Sequence, residues 1–164
     1  SYAERVRGRS DVDLVADLAL GHVDAVASAL AADFYIDAAM VRDAIQQRAA
    51  FNVIHLPTMF KADVFPLQDD PWSRGQMARA RTERLDSPDG QVTIRFASPE
   101  DTLLHKLIWF KRGNQASDRQ WADILGVLKV QDATLDQQYL DHWAPILSVL
   151  ELLLEAREAQ LGSM

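Results

Sequence analysis

Residues 10–17, near the start of the sequence, alternate acidic and apolar side chains in the order Ser-Asp-Val-Asp-Leu-Val-Ala-Asp. Successive side chains of a β-strand point to opposite faces. The pattern therefore predicts a strand with Val12 and Leu14 on the core face and with Asp11 and Asp13 side by side on the other face. Two neighbouring carboxylates repel each other, and hard divalent ions such as Mg²⁺ bind oxygen ligands of this kind. The segment is either part of a metal site or the solvated side of a half-buried strand.

The composition is that of a globular protein. The chain has 164 residues, of which 48% are hydrophobic and 25% are charged, and its net charge is −7. This length suits one domain, or one domain with a helical appendage. The sequence contains no cysteine, which excludes a disulfide framework and a thiolate metal site. Because no apolar run is long enough to cross a bilayer and the first residues lack the apolar core of a signal peptide, we expect a cytoplasmic protein that does not enter a membrane.

The first half of the sequence predicts alternating helices and strands. Apolar residues at helical spacing predict helices at 23–30 and 40–48, with a brief strand at 34–36 between them. Two apolar runs at 51–56 and 60–65, joined through Pro57, predict a β-hairpin. On its second strand Asp63 shares a face with Lys61 and Phe65. Asp63 is therefore either an exposed acid on an edge strand or a third carboxylate beside Asp11 and Asp13.

A basic cluster occurs in the middle of the sequence. It consists of Arg74, Arg79, Arg81 and Arg84, which we predict to lie on one helix at 72–85. Such a cluster either contacts phosphates, including those of a nucleic acid, or forms a solvated helix face. Turn residues at 87–90 and an alternating segment at 91–96 predict a strand after this helix.

The remaining sequence predicts helices only. Ser98 and Pro99 have the form of a helix N-terminus, and Gly113 ends that helix. Ser117 begins a second helix as part of a capping box, and further helices are predicted at 135–143 and 145–159. The last of these carries more leucine than one buried stripe needs, so it is either well buried or a subunit contact of a homo-oligomer. The predicted fold class is α+β, with an α/β core at 1–97 and a helical region at 98–164.

The acidic residues and the helical motifs together resemble those of one superfamily. Asp11-Val12-Asp13-Leu14 and the later Asp63 are similar to the acidic motifs of the nucleotidyltransferase (DNA polymerase beta-like) superfamily. The downstream motifs resemble those of bacterial nucleotidyltransferases of the abortive-infection toxin type: Ser98-Pro99-Glu100-Asp101, Lys106-Leu107 and Arg119-Gln120-Trp121-Ala122-Asp123-Ile124. The resemblance covers nearly the whole chain and implies a nucleotidyltransferase-like mixed sheet with flanking helices, followed by a helical half.

The resemblance also implies an activity and a set of site residues. Asp11, Asp13 and Asp63 would hold Mg²⁺ or Mn²⁺, and Asp63 would also act in catalysis by helping to deprotonate the attacking hydroxyl. Lys106 and Arg119 would bind the nucleotide. From the residues alone, Lys106 is as well explained by a lysine at the edge of the core, and Arg119 with Asp123 by a helical ion pair. The implied reaction transfers a nucleoside monophosphate from an NTP to a hydroxyl of RNA, a protein or a small molecule.

The sequence departs from the superfamily pattern in two places. The superfamily carries a glycine-glycine or glycine-serine turn before its first aspartate, whereas only ten residues precede Asp11 and the first four contain no such turn. We expect either that the chain is truncated at this point or that it lacks a phosphate cradle. Gln120 stands where the downstream motif usually has an aspartate. The alternative function is therefore a catalytically degenerate nucleotidyltransferase-like module with a binding or regulatory role.

Overall fold

Strands and helices alternate through the first part of the chain, and four helices follow the last strand. The computed structural model describes residues 11–87, 90–131 and 134–162. The strands are β1 (Asp11–Ala16), β2 (Phe34–Tyr35), β3 (Phe51–His55), β4 (Phe60–Pro66), β5 (Arg81–Ser87) and β6 (Gly90–Phe96). The helices are α1 (Val23–Leu30), α2 (Ala38–Gln47), α3 (Pro71–Arg79), α4 (Pro99–Arg112), α5 (Asp118–Gln131), α6 (Gln137–Ile146) and α7 (Leu150–Leu161). The predicted α+β class is confirmed.

The chain forms two compact units, one ending at Arg74 and the other beginning at Gly75. The first unit contains the sheet formed by β1 to β4, together with α1 and α2. The second contains the β5–β6 hairpin and helices α4 to α7. The described residues of the predicted helical region at 98–164 form helices α4 to α7 and no strand, while its separation from 1–97 as a domain stays a prediction.

The sheet of the first unit has the strand order β1-β4-β3-β2. β1 pairs with β4 in parallel, and β4 pairs with β3 in antiparallel fashion through the predicted hairpin. A parallel pair needs a crossover connection, which here runs through α1, β2, α2 and β3. The strands predicted at 34–36, 51–56 and 60–65 are confirmed.

The core of the first unit lies against the middle of this sheet. Its buried residues are Val23, Val41, Ala44, Phe51, Val53 and Val64, with Ala16 of β1 packed beside them. Val12 and Leu14 lie on the predicted face, since Leu14 is paired with the buried Val64. The expectation that they are part of the core is wrong, because their exposed fractions are 39% and 46%. β1 is an outer strand of the sheet. The buried residues of α1 and α2 pack in the cluster around β3 and β4 and leave the first residues of β1 exposed.

The predicted helix at 72–85 is also wrong in its second half. α3 ends at Arg79, and β5 begins at Arg81. All seven residues of β5 pair with β6, from Arg81 opposite Phe96 to Ser87 opposite Gly90. Pairing with the next strand of the chain overrides local helix propensity in these residues. The turn predicted at 87–90 includes residues 88 and 89, which lie outside the described residues.

The helices of the second unit begin and end largely as predicted. Ser98 caps α4 by accepting a hydrogen bond from the backbone N–H of Asp101 at 3.1 Å, and Gly113 follows its last residue. The prediction that Pro145 begins the last helix is wrong, since this residue lies in the last turn of α6 and α7 starts at Leu150.

Most apolar residues of the second unit are buried among its helices. They include Leu103, Leu104, Leu107, Ile124, Leu128, Leu140 and Leu153. On α7 Leu154 and Leu161 are exposed. The subunit contact of a homo-oligomer stays a prediction, and these two leucines are the side chains of α7 that would form it. Among the residues that the structure describes, no helix is long and apolar enough to span a membrane.

Candidate functional site

Asp13 and Asp63 are direct neighbours across the parallel pair of β1 and β4. Side chains at paired positions of adjacent strands project from the same face of the sheet. Because Val64 belongs to the buried core, its neighbour Asp63 projects from the opposite face. The two strands thus present two carboxylates side by side on the face away from the core, which matches one of the two arrangements that the sequence leaves open for Asp63.

Asp63 is held by two polar neighbours. The Nζ atom of Lys61 lies 3.0 Å from its Oδ2 atom, and the Nδ2 group of Asn52 donates a hydrogen bond of 3.1 Å to its Oδ1 atom. Asn52 pairs with Asp63 across β3 and β4. Both oxygens of the carboxylate are therefore engaged, one by a cation and the other by a neutral amide.

These contacts determine the ionisation of Asp63. Partial burial by itself would raise the pKa of its carboxyl group, but the hydrogen bonds from Lys61 and Asn52 and the positive charge of Lys61 outweigh this effect. The net result is a pKa below the ordinary aspartate value. Asp63 is thus ionised at neutral pH, as a metal ligand has to be.

Asp11 is paired in register with Lys61, and its side chain lies outside the described part of the structure. Among the side chains that are described, no three His, Cys, Asp or Glu residues form a group that could hold a metal ion. Asp13 and Asp63 together make only two such ligands. The three-carboxylate site, with Asp11 as its third member, stays a prediction.

Lys106 and Asp123 form an ion pair in the second unit. The Nζ atom of Lys106 on α4 lies 3.3 Å from the Oδ2 atom of Asp123 on α5, while the helical ion pair of Arg119 with Asp123 stays a prediction. Both residues line a groove of about 520 Å³ between the two helices, a volume within the range of small-molecule sites.

Small residues give the groove its room. Ala97, Ala122 and Gly126 line it, and a Cβ atom added to Gly126 would meet no atom within 4 Å. Arg119 is an exposed residue of α5. The nucleotide-binding roles of Lys106 and Arg119 stay predictions.

The four arginines of the predicted basic cluster are divided between helix α3 and strand β5. Arg74 pairs with Asp69, Arg79 contacts buried carboxylates of α4, and Arg81 and Arg84 lie on the exposed strand β5. Two of the four positive charges are therefore paired with acids of the chain. The four arginines do not share one helix, because β5 begins at Arg81, and their binding of phosphates stays a prediction.

A buried polar network surrounds Arg79 in the second unit. Its Nη2 group donates a hydrogen bond of 2.9 Å to Glu100, and its Nε atom lies 3.8 Å from Asp101. The hydroxyl of Tyr139 donates to Asp101 at 2.7 Å, and the backbone N–H of Asp136 donates to Glu100 at 2.8 Å. The network joins α3 and the start of α4 to the start of α6.

Sequence reasoning missed the polar side chains that contact Asp63 in the first unit and Asp101 in the second. Lys61 stands two residues before Asp63 on the same strand, a spacing that could have predicted their contact. Asn52 and Tyr139 carry no such signal, since their contacts depend on strand register and on helix packing. Comparisons of the chain with protein-family models, with curated proteins and with solved structures found no match.

Proposed function

We propose that the chain is a Mg²⁺-dependent nucleotidyltransferase, which transfers a nucleoside monophosphate from an NTP to a hydroxyl of RNA, a protein or a small molecule. The observation that carries the proposal is the register of β1 and β4, which pairs Asp13 with Asp63. In-line transfer of a phosphoryl group needs cations that neutralise charge on the triphosphate, and carboxylates from neighbouring strands hold such cations.

The donor chemistry of this pair fits Mg²⁺. Carboxylate oxygens are hard ligands of the kind that Mg²⁺ prefers, and the Oδ2 atom of Asp63 already contacts one cationic group, the ammonium of Lys61. Asp13 and Asp63, with Asp11 from β1, would hold the ion. When bound, Mg²⁺ would supply charge stabilisation for the entering and leaving oxygens of the displacement.

Asp63 is better suited to hold a cation than to act as a strong base. Its pKa lies below the ordinary aspartate value, and a weaker base takes up the proton of an attacking hydroxyl less readily. In the proposed reaction Asp63 orients the acceptor hydroxyl and accepts its proton only as that hydroxyl becomes acidic in the transition state. The roles of Lys106 and Arg119 follow from the resemblance alone.

A label-transfer assay tests the proposal. The protein is incubated with Mg²⁺, with each NTP labelled at its α-phosphate, and with bacterial RNA or protein as acceptor. Wild-type protein is expected to transfer label, and Asp13→Asn and Asp63→Asn should each lower the rate at least about 100-fold. Asp33→Asn, which changes an exposed acid before β2, is the matched control and should keep the wild-type rate.

A catalytically degenerate module is the second candidate. The observation that favours it is the ion pair between Lys61 and Asp63, because a carboxylate that is already neutralised has less need of a metal. This candidate predicts that folded wild-type protein transfers no label from any of the NTPs, so that Asp13→Asn and wild type give the same result. The label-transfer assay thus separates the two functions.

A further inference from the structure

Lys61 and Asp63 lie on the same face of β4, two residues apart. The Nζ atom of Lys61 lies 3.0 Å from Oδ2 of Asp63, and the side chain of Lys61 is 40% exposed while that of Asp63 is 23% exposed. The pair is therefore close but open to water on one side. A cation that arrives from solvent meets an oxygen that already has a positively charged partner.

Mg²⁺ and the ammonium group cannot use this oxygen equally well at the same time. Mg²⁺ binds oxygen at about 2.0–2.1 Å and demands nearly ideal octahedral geometry. An ammonium group 3.0 Å from the same oxygen would lie no more than about 5 Å from the ion, where like charges repel each other even in a surrounding of high dielectric constant. One of the two cations has to withdraw.

We infer that Lys61 competes with the divalent cation for Asp63 and thereby sets the metal affinity of the site. The inference rests on the proposed metal site at Asp13 and Asp63. The lysine side chain can withdraw because its four-carbon stem is flexible and its ammonium group is strongly hydrated. Lys61 holds the carboxylate ionised and oriented through Oδ2, while Asn52 holds Oδ1.

The competition couples metal binding to nucleotide binding. An ammonium group displaced from Asp63 stays beside the metal on the same strand, where it can interact with a triphosphate. The bound triphosphate therefore stabilises the arrangement in which Asp63 binds the metal and the ammonium group of Lys61 contacts the phosphates. Because such coupling is reciprocal, nucleotide raises the affinity for metal, and metal raises the affinity for nucleotide.

The test measures metal binding rather than catalysis. Free Mn²⁺ is titrated with protein and followed by electron paramagnetic resonance, with and without a non-hydrolysable NTP analogue. Lys61→Met removes the charge and keeps most of the apolar stem. Lys129→Met, at an exposed lysine of α5, removes the same charge elsewhere and is the matched control. Circular dichroism verifies that each variant is folded, and Lys61→Gln replaces Lys61→Met if that variant is not.

Lys61→Met is expected to bind Mn²⁺ about tenfold more tightly than wild type in the absence of nucleotide, which corresponds to about 1.4 kcal/mol. The analogue should raise Mn²⁺ affinity strongly in wild type and several-fold less in Lys61→Met. Lys129→Met should match wild type in both measurements. Adding Asp63→Asn to Lys61→Met should abolish the tenfold gain, because the gain depends on the carboxylate that Lys61 contacts.

Two results would overturn the inference in distinguishable ways. If wild type binds Mn²⁺ but Lys61→Met binds it no more tightly, the competition is refuted and the proposed metal site stands. If wild type and Lys61→Met are both folded and neither binds Mn²⁺ in either condition, the proposed metal site fails and the inference fails with it.

Discussion

Replacing Arg79 by methionine is expected to destabilise the second unit severely. Arg79 contacts Glu100 at 2.9 Å and lies 3.8 Å from Asp101. The exposed fraction of Glu100 is 3% and that of Asp101 is 0%. The variant leaves two negative charges in the interior of the unit without their closest positive charge, and buried charges of this kind are costly.

The magnitude follows from the burial of the partners. Removing one member of a buried ion pair costs about 3–5 kcal/mol. The side chain of Arg79 is 32% exposed, so water replaces part of its effect, and Tyr139 and Asp136 still donate hydrogen bonds to the two carboxylates. We therefore expect the lower end of the range, a loss of about 3 kcal/mol, which corresponds to a fall in Tm of about 6–12 °C for a chain of this size.

Arg74→Met is the matched control for this prediction. Arg74 lies on the same helix and pairs with Asp69, but both side chains are mostly exposed. Exposed ion pairs contribute little, so the control should unfold at nearly the same urea concentration as wild type. Urea unfolding followed by circular dichroism at 222 nm compares the two variants. The reasoning is refuted if Arg79→Met loses no more stability than Arg74→Met.

Three further predictions concern stability. The pKa of Glu100 is lowered, because hydrogen bonds from Asp136, Ser98 and Arg79 outweigh the opposing effect of burial. The ionised carboxylate therefore contributes its full stabilisation of the folded state above the ordinary pKa near 4.5, and this stabilisation is lost as the pH falls through the lower folded pKa. The free energy of unfolding of Glu100→Gln, measured in urea between about pH 5 and pH 3, should depend less on pH than that of wild type. Leu104→Ala removes a fully buried side chain and should lower the free energy of unfolding by about 2–5 kcal/mol in the same assay. An equal loss in Leu154→Ala, at an exposed leucine, would contradict the assignment of the cost to burial. Asp37 accepts hydrogen bonds from the backbone N–H groups of Ala39 and Met40 in the first turn of α2, so Asp37→Ala should lower Tm by an amount equivalent to about 1 kcal/mol, whereas Asp37→Asn should not.

Local patterns predicted those elements whose signals are local. The start of α4 was predictable because Ser98 and Pro99 are residues whose chemistry suits a helix N-terminus, and the structure has the predicted cap. The hairpin of β3 and β4 was predictable because Pro57 interrupts two apolar runs. These signals depend on neighbours in sequence and need no tertiary contact.

The wrong predictions concern features that depend on how an element pairs or packs. Residues 81–85 become part of β5 because β6, the next strand of the chain, pairs with them, and this pairing overrides the helix predicted from their own spacing. Val12 and Leu14 alternate as core residues do, yet they are exposed because β1 is an outer strand of the sheet. A strand pattern predicts alternation of faces but not how much of each face the helices cover.

The candidate site was predictable in part for the same reason. Alternation placed Asp63 on one face of a strand, but the pairing of β1 with β4 in parallel, which makes Asp13 its neighbour, follows only from the sheet. The contacts of Asp63 with Lys61 and Asn52 likewise depend on side-chain geometry and on register. The sequence thus predicted the acidic residues of the candidate site, and the structure adds the two side chains that hold Asp63.

Calorimetric titration with Mg²⁺–NTP complexes tests the central claim most directly, namely that Asp13 and Asp63 bind metal and nucleotide together. Wild-type protein is expected to bind at least one of the four complexes and to bind that NTP more weakly when EDTA removes Mg²⁺. Asp13→Asn and Asp63→Asn should each weaken the binding at least about tenfold, and Asp33→Asn should leave it unchanged. Folded wild-type protein that binds none of the four complexes, or that binds one equally well after Asp13→Asn, would contradict the claim.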